Sequence, residues 1–139
     1  MTRKDDCIFC KIVAGEIPCQ LVDEGDLTIT IMDAFPATRG HALVITKAHR
    51  HDVLDMTDEE LAETGIQLRN AANAIRKATG CPALNLLNSC GGLAGQTVFH
   101  AHFHMLPRYE DDTFQVKFSK FQMTGEEKTA LAADIRKNL

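Results

Sequence analysis

The sequence predicts a single α+β domain with a mainly antiparallel sheet and one long helix. Three observations carry that prediction. Short β-patterned runs recur between residues 19 and 107, each bounded by turn residues. One stretch, from Leu61 to Ala78, keeps helical spacing behind the capping-box signature Thr57-Asp58-Glu59-Glu60. The run from Phe99 to Leu106 alternates three histidines with apolar residues and contains no glycine, which is a strand pattern. The 139 residues are enough for one core and too few for two ordinary domains, so residues 1–139 are taken as one domain.

Residues 7–14 place Ile8, Ile12 and Phe9 on one side of a short helix that Gly15 stops. Ile17-Pro18 begins an extended segment. Residues 19–23 and 27–32 read as strands around the turn Glu24-Gly25-Asp26. In the second, Leu27, Ile29 and Ile31 alternate with Thr28 and Thr30, which predicts one buried face. His41 to Thr46 is a third strand, followed by the polar connection Lys47 to His51. The long helix turns Leu61, Leu68, Ala71, Ala72, Ile75 and Ala78 inward and closes at Gly80 and Pro82. Leu84 to Asn88 is a fourth strand, and the histidine run to Pro107 is the fifth. Phe114, Val116 and Phe118 alternate, which suggests a further edge strand. Thr124-Gly125-Glu126-Glu127 opens a final helix with Leu131 and Ile135 inward and Arg136 and Lys137 at its negative end.

Composition narrows the function. Hydrophobic content of 45% and charged content of 24% are those of a globular chain. A net charge of −4 with no basic patch argues against nucleic acid as the main partner. No apolar run reaches the ~18 residues of a membrane span, and Met1 to Asp6 turns acidic without an apolar leader. A cytoplasmic protein with no membrane partner is expected. Five cysteines, with only Cys7 and Cys10 close together, do not form a secreted disulfide framework. Cys19, Cys81 and Cys90 read as isolated small side chains.

In a strand, His100, His102 and His104 share one face, about 6.5–7 Å apart, and Ala101, Phe103 and Met105 share the other. Three imidazoles on one face must each be solvated or hydrogen-bonded, so a purely structural role is the poorer reading. Two chemistries compete: a metal site, because His-x-His presents two imidazoles to one ion, and nucleophilic catalysis by one ring with the others as donors. The loop Ser89 to Gly95 is rich in glycine and ends in Gln96-Thr97, an amide donor and a hydroxyl directly before the histidines. That placement suggests a phosphate held against an imidazole. Neither a Walker loop nor a dinucleotide fingerprint is present. Cys7-x-x-Cys10 is half of a zinc site, or alternatively a redox dithiol, although the latter should follow a strand of a βαβ unit. Two imidazoles would complete a tetrahedron, and His49, His51 and His100 are available.

The run Ala94 to Arg108, with His100-x-His102-x-His104 followed by two apolar residues, resembles the signature of the histidine triad (HIT) family. Cys7-Ile8-Phe9-Cys10-Lys11-Ile12, Gly15-Glu16-Ile17-Pro18, Asp33, Gly40-His41-Ala42-Leu43-Val44-Ile45 and Leu87-Asn88 resemble that family's blocks in the same order. The likeness runs to Tyr109 and is greatest to bacterial members of the Hint branch. It implies a five-stranded sheet with one long helix and shorter terminal helices, and a homodimer. It implies a nucleotide hydrolase or transferase that cleaves nucleoside 5′-phosphoramidates or related nucleotidyl esters through a covalent nucleotidyl-His102. His104 would donate to the phosphate or leaving group, His100 would orient His102, and His41 would complete the relay behind it. Gln96, Thr97, Val98 and Asn88 would border the phosphate and sugar. Asp33 would hold the ribose hydroxyls, and Ile8, Phe9, Ile12 and Ile17 would wall the pocket for a purine base. Some bacterial members with Cys-x-x-Cys hold a structural zinc in a way that maps to Cys7, Cys10, His49 and His100, and no catalytic metal is expected. Dinucleoside polyphosphate hydrolysis, a nucleotide-binding adaptor and a metal-dependent enzyme are the alternatives. Ile31 departs from the family, where an aromatic is frequent, as do Cys90 and Leu93 in a loop that is usually more polar.

Overall fold

The computed structural model describes residues 1–139. In chain order the elements are α1 (Ile8–Val13), β1 (Leu21–Glu24), β2 (Thr28–Met32), β3 (Ala42–Thr46), α2 (Asp58–Thr79), β4 (Ala83–Leu87), β5 (His102–Arg108) and α3 (Gly125–Lys137). The five strands form one antiparallel sheet in the order β1-β2-β3-β5-β4, which is the expected α+β class. No helix is long and apolar enough to cross a membrane.

Local signals set the ends of the helices. Thr57 and Thr124 each form a full capping box, with Glu60 and Glu127 returning the bond to the cap backbone. Gly80 closes α2 in the left-handed conformation that a side chain resists. Gly40 is also left-handed, and a Cβ there would lie 3.2 Å from both Pro107 and Thr79, so only glycine lets the chain enter β3 here.

The sheet is covered on both faces. Cys7, Phe9 and Cys10 pack with Ile29, Ile31, Leu43 and Ile45 on one side. Ala42, Val44 and Met105 pack with Ala71 and Ile75 of α2 on the other. β3 is therefore buried throughout, as a central strand between two layers must be.

Five expectations need correction. β2 is buried on both faces, because Thr28 donates to Glu63 of α2 at 2.8 Å and Thr30 lies near Gln67. α2 accordingly buries Glu60, Thr64 and Gln67 at its N-terminal end, while Leu61 and Ala78 are exposed. Ile8 is half exposed, and Phe9 and Cys10 are the buried residues of α1. Phe114, Val116 and Phe118 form no strand. Arg108 grips Asp112 through two 2.9 Å bonds and also binds the Phe114 carbonyl, which folds the chain out of the ladder. Leu131 and Ile135 of α3 are exposed, and α3 buries none of its residues.

Candidate active site

β5 is held between β3 and β4, with His104 opposite Leu43 and His102 opposite Ile45. The strand begins at His102, so His100 stands just before it; the expected strand was too long at that end. The shared face survives nevertheless. Phe9 meets the rings of His100 and His102 edge-on at 5.8 and 5.0 Å, and the His102 and His104 rings lie 5.0 Å apart. Met105 points into the opposite layer.

Backbone partners fix the proton positions of these rings. A carbonyl only accepts, so the 2.7 Å contact of His102 Nδ1 with the His100 carbonyl places a proton on Nδ1. The Nε2 lone pair of His102 is then free. Asn88 donates to the His102 carbonyl at 2.9 Å and holds the same residue by its main chain. His41 has the reverse arrangement. The Ala37 N–H donates to His41 Nδ1 at 3.0 Å, so the His41 proton sits on Nε2. That proton faces His104 Nδ1 at 2.8 Å and Asp33 Oδ2 at 3.4 Å. His104 must then carry its own proton on Nε2. His41 thus backs His104 and does not stand directly behind His102, which corrects the relay expected from the resemblance.

Burial keeps these imidazoles neutral. It pushes His104 down to about 4, with His102 and His41 adding to the effect and Asp33 opposing it. It pushes His100 down to about 4, against the bond to Thr46. His102 and His41 are lowered for the same reason, and Asp33 partly offsets both.

A cavity of about 410 Å³ opens over this face. Ten of the expected site residues line it: Ile8, Phe9, Ile12, Ile17, Asp33, His41, Thr97, Val98, His102 and His104. Cys19, Met32, Phe35 and Leu43 also line it and were not foreseen. Leu43 and Met32 arrive through the β2–β3 register, which no local pattern discloses. Asn88 and Gln96 do not line it. Gln96 is buried and its amide ties the glycine-rich loop to neighbouring main chain: Oε1 accepts from the Gly91 N–H at 2.7 Å, and Nε2 donates to the His51 and Val98 carbonyls at 2.8 and 3.1 Å. Its amide shapes the loop and is not a free phosphate donor.

Cys7, Cys10, His49 and His100 converge beside this site, with ligand atoms all within 4.8 Å of one another. Cys7 Sγ and Cys10 Sγ lie 3.3 and 3.5 Å from His100 Nδ1, and Cys10 Sγ lies 3.3 Å from His49 Nδ1. A tetrahedron built on typical zinc bond lengths separates sulfur from nitrogen by about 3.5 Å, so this donor set fits a closed metal site. His100 Nε2 donates to the Thr46 carbonyl at 2.7 Å, which leaves Nδ1 unprotonated toward the thiols. Burial lowers His49 and raises the Cys10 thiol. His51, the other histidine of that connection, is exposed, stacked on Phe99 at 5.0 Å and bonded to Asp52. Asp33, His41 and His104 form a second cluster of possible ligands. There the Ala37 N–H leaves His41 with a proton, not a lone pair, facing its neighbours, so that cluster presents a hydrogen-bond donor where a metal would need a ligand atom.

Residues 14–111 match the HIT domain family. The chain is 40% identical over 111 residues to an adenylylsulfatase of Arabidopsis thaliana, a match covering 80% of this chain and 56% of that protein. This chain therefore spans about half the length of that plant relative. It is 36% identical over 130 residues to an adenosine 5′-monophosphoramidase of Schizosaccharomyces pombe, covering 93% of this chain and 95% of the relative. The crystal structure of a HIT family member from Bacillus subtilis superposes with a TM-score of 0.93 at 37% identity, over 97% of this chain and 98% of that one. With matching sequence, superposable fold and three histidines sharing one face along β5 and just before it, the chain belongs to the histidine triad family.

Proposed function

We propose that the protein hydrolyses nucleoside 5′-phosphoramidates, or transfers their nucleotidyl group, through a covalent nucleotidyl-His102. The observation that supports this most is the opposed proton placement on neighbouring rings. His102 offers a lone pair at Nε2, held in line by the His100 carbonyl at 2.7 Å. His104 offers a proton at Nε2, with His41 behind it at 2.8 Å. A nucleophile and a proton donor thus stand side by side over one cavity.

In this reading, His102 Nε2 attacks the α-phosphorus and forms a P–N bond to the ring. The substrate's own P–N bond breaks and the amine leaves with a proton drawn from solvent water, while the His104 Nε2–H donates a hydrogen bond to the phosphate and leaving group and the ring stays neutral. Water then attacks the nucleotidyl-His102, loses its proton to solvent and releases the nucleoside monophosphate with His102 Nε2 free again. The Thr97 hydroxyl and the backbone of the glycine-rich loop border the phosphate, while Asp33 accepts from the ribose hydroxyls. One Asp33 oxygen is already bonded to the Phe35 N–H at 2.7 Å, which fixes the carboxylate for that task. Ile8, Phe9, Ile12 and Ile17 enclose a purine base. The names of the fission-yeast and plant relatives, a monophosphoramidase and an adenylylsulfatase, support a substrate that carries a leaving group on an adenosine 5′-phosphate.

Cys7, Cys10, His49 and His100 would hold a structural zinc, with all four positions taken by protein. Such thiols persist in a reducing cytoplasm. A second copy of the chain is the expected partner. Leu86 and Leu87 on the edge strand β4, Phe118, Phe121, and Leu131 and Ile135 on α3 are apolar surface without cover in one chain.

The test is turnover of an adenosine 5′-phosphoramidate by wild type and His102→Ala, with intact-mass detection of a nucleotidyl adduct. Turnover and a transient adduct in wild type alone are expected. Equal turnover in both would remove His102 from the nucleophile role, and binding without turnover would leave an adaptor.

A further inference from the structure

We infer that Cys7 and Cys10 are positioning residues of the nucleotide pocket, so that metal at their site and nucleotide in the cavity bind cooperatively. The inference rests on the nucleotide reading above. It starts from α1, which belongs to two sites at once.

α1 has six residues, too few to stand as a helix on its own. Its N-cap is Cys7, which makes no side-chain capping bond, and its first turn has no acidic residue. Its buried residues are Phe9 and Cys10. Beside Phe9, the two buried thiols anchor it, Cys7 against His100 and Cys10 against His100 and His49. The other side chains of the same helix, Ile8, Phe9 and Ile12, line the cavity. Ile8 and Phe9 of the cavity wall lie between the two thiols and Ile12 follows two residues after Cys10, so a shift of the thiols carries the wall with it.

A second path runs through His100. Its Nδ1 faces both thiols, its Nε2 is tied to Thr46, and its carbonyl takes the Nδ1 proton of His102. The ring is fully buried. The N-terminal segment closes over the same group: Thr2 and His49 exchange hydrogen bonds at 2.8 and 3.0 Å, and the Lys4 N–H reaches Cys10 Sγ at 3.4 Å. An ion held by the four ligands fixes α1, this segment and the carbonyl that aims His102. A chain without it must order α1 at the moment nucleotide binds, and affinity falls by that cost.

Linkage makes the effect reciprocal. Full-length protein is titrated with zinc in competition with a chromophoric chelator, with and without saturating adenosine 5′-monophosphate. Adenosine 5′-monophosphate should tighten zinc binding by roughly tenfold, and zinc should tighten nucleotide binding by the same factor. Hydrogen exchange of the zinc-free chain should lose protection at residues 2–14 while β3 and β5 keep theirs. Cys10→Ser should raise KM far more than it lowers kcat. Zinc affinity unchanged by nucleotide would overturn the proposal, and so would loss of protection across the whole sheet, which would make the metal a general scaffold. Failure of the zinc-loaded wild type to bind adenosine 5′-monophosphate, read directly by isothermal titration calorimetry, would strike the nucleotide reading itself, whereas nucleotide bound in that calorimetry with zinc affinity unchanged would overturn the coupling alone.

Discussion

Two histidine clusters lie on the same face of one sheet and are prepared for different work. At Cys7, Cys10, His49 and His100, the Thr46 carbonyl takes the His100 proton at Nε2 and leaves a lone pair toward the thiols. At Asp33, His41 and His104, the Ala37 N–H fills the His41 lone pair at Nδ1 and leaves a proton facing the cluster. Residue types alone admit a metal in either place. A single main-chain bond separates them, since a carbonyl behind the ring prepares a metal ligand and an N–H behind it prepares a proton donor.

That contrast can be broken experimentally, beginning at the ring between the two clusters. His102→Ala should lower kcat by roughly 10⁴-fold or more with zinc affinity retained, measured by phosphoramidate turnover and chelator competition. A loss below tenfold would mean that another group attacks. His41→Ala should lower kcat by roughly 10²-fold through loss of the proton behind His104, again with zinc unaffected. An unchanged kcat would detach His41 from the chemistry. Asp33→Ala should raise KM for ribonucleotide substrates by about tenfold and narrow the difference from their 2′-deoxy analogues. Retained ribose preference would assign the carboxylate to His41 alone.

A smaller effect concerns acid. His104 takes its proton at about 4 in the fold, against 6.5 for an ordinary histidine. Between those values the unfolded chain binds more protons, so stability is full above about 6.5 and drains as pH falls toward 4. The melting temperature should therefore drop through that window, while turnover per folded molecule holds until the folded rings themselves titrate. His104→Asn should flatten the slope, and an identical slope in the variant would move the effect to other groups.

The histidine face was legible in the sequence because a strand alternates with a fixed period, and β5 keeps His102 and His104 on the face opposite Met105. The capping boxes at Thr57 and Thr124 and the stop at Gly80 were legible because their rules are local. Gln96 was not, because an amide next to a glycine loop looks like a ligand donor until its partners Gly91, His51 and Val98 are known. The burial of Thr28, Thr30 and Glu60 was hidden for a related reason. These polar groups face partners on other elements, Glu63, Gln67 and Arg50, and polarity in one segment does not report a partner in another. Leu131 and Ile135 show the converse: an apolar stripe promises a contact without saying which surface provides it.

The place of β5 inside the sheet also fixes the order in which heat should disable the molecule. His102, on an interior strand, cannot slacken ahead of the ladder that holds it, whereas the six-residue helix walling the cavity can. On warming, substrate affinity should fade first while the turnover number of the saturated protein still climbs. Chemistry should end abruptly, and only when the sheet itself melts.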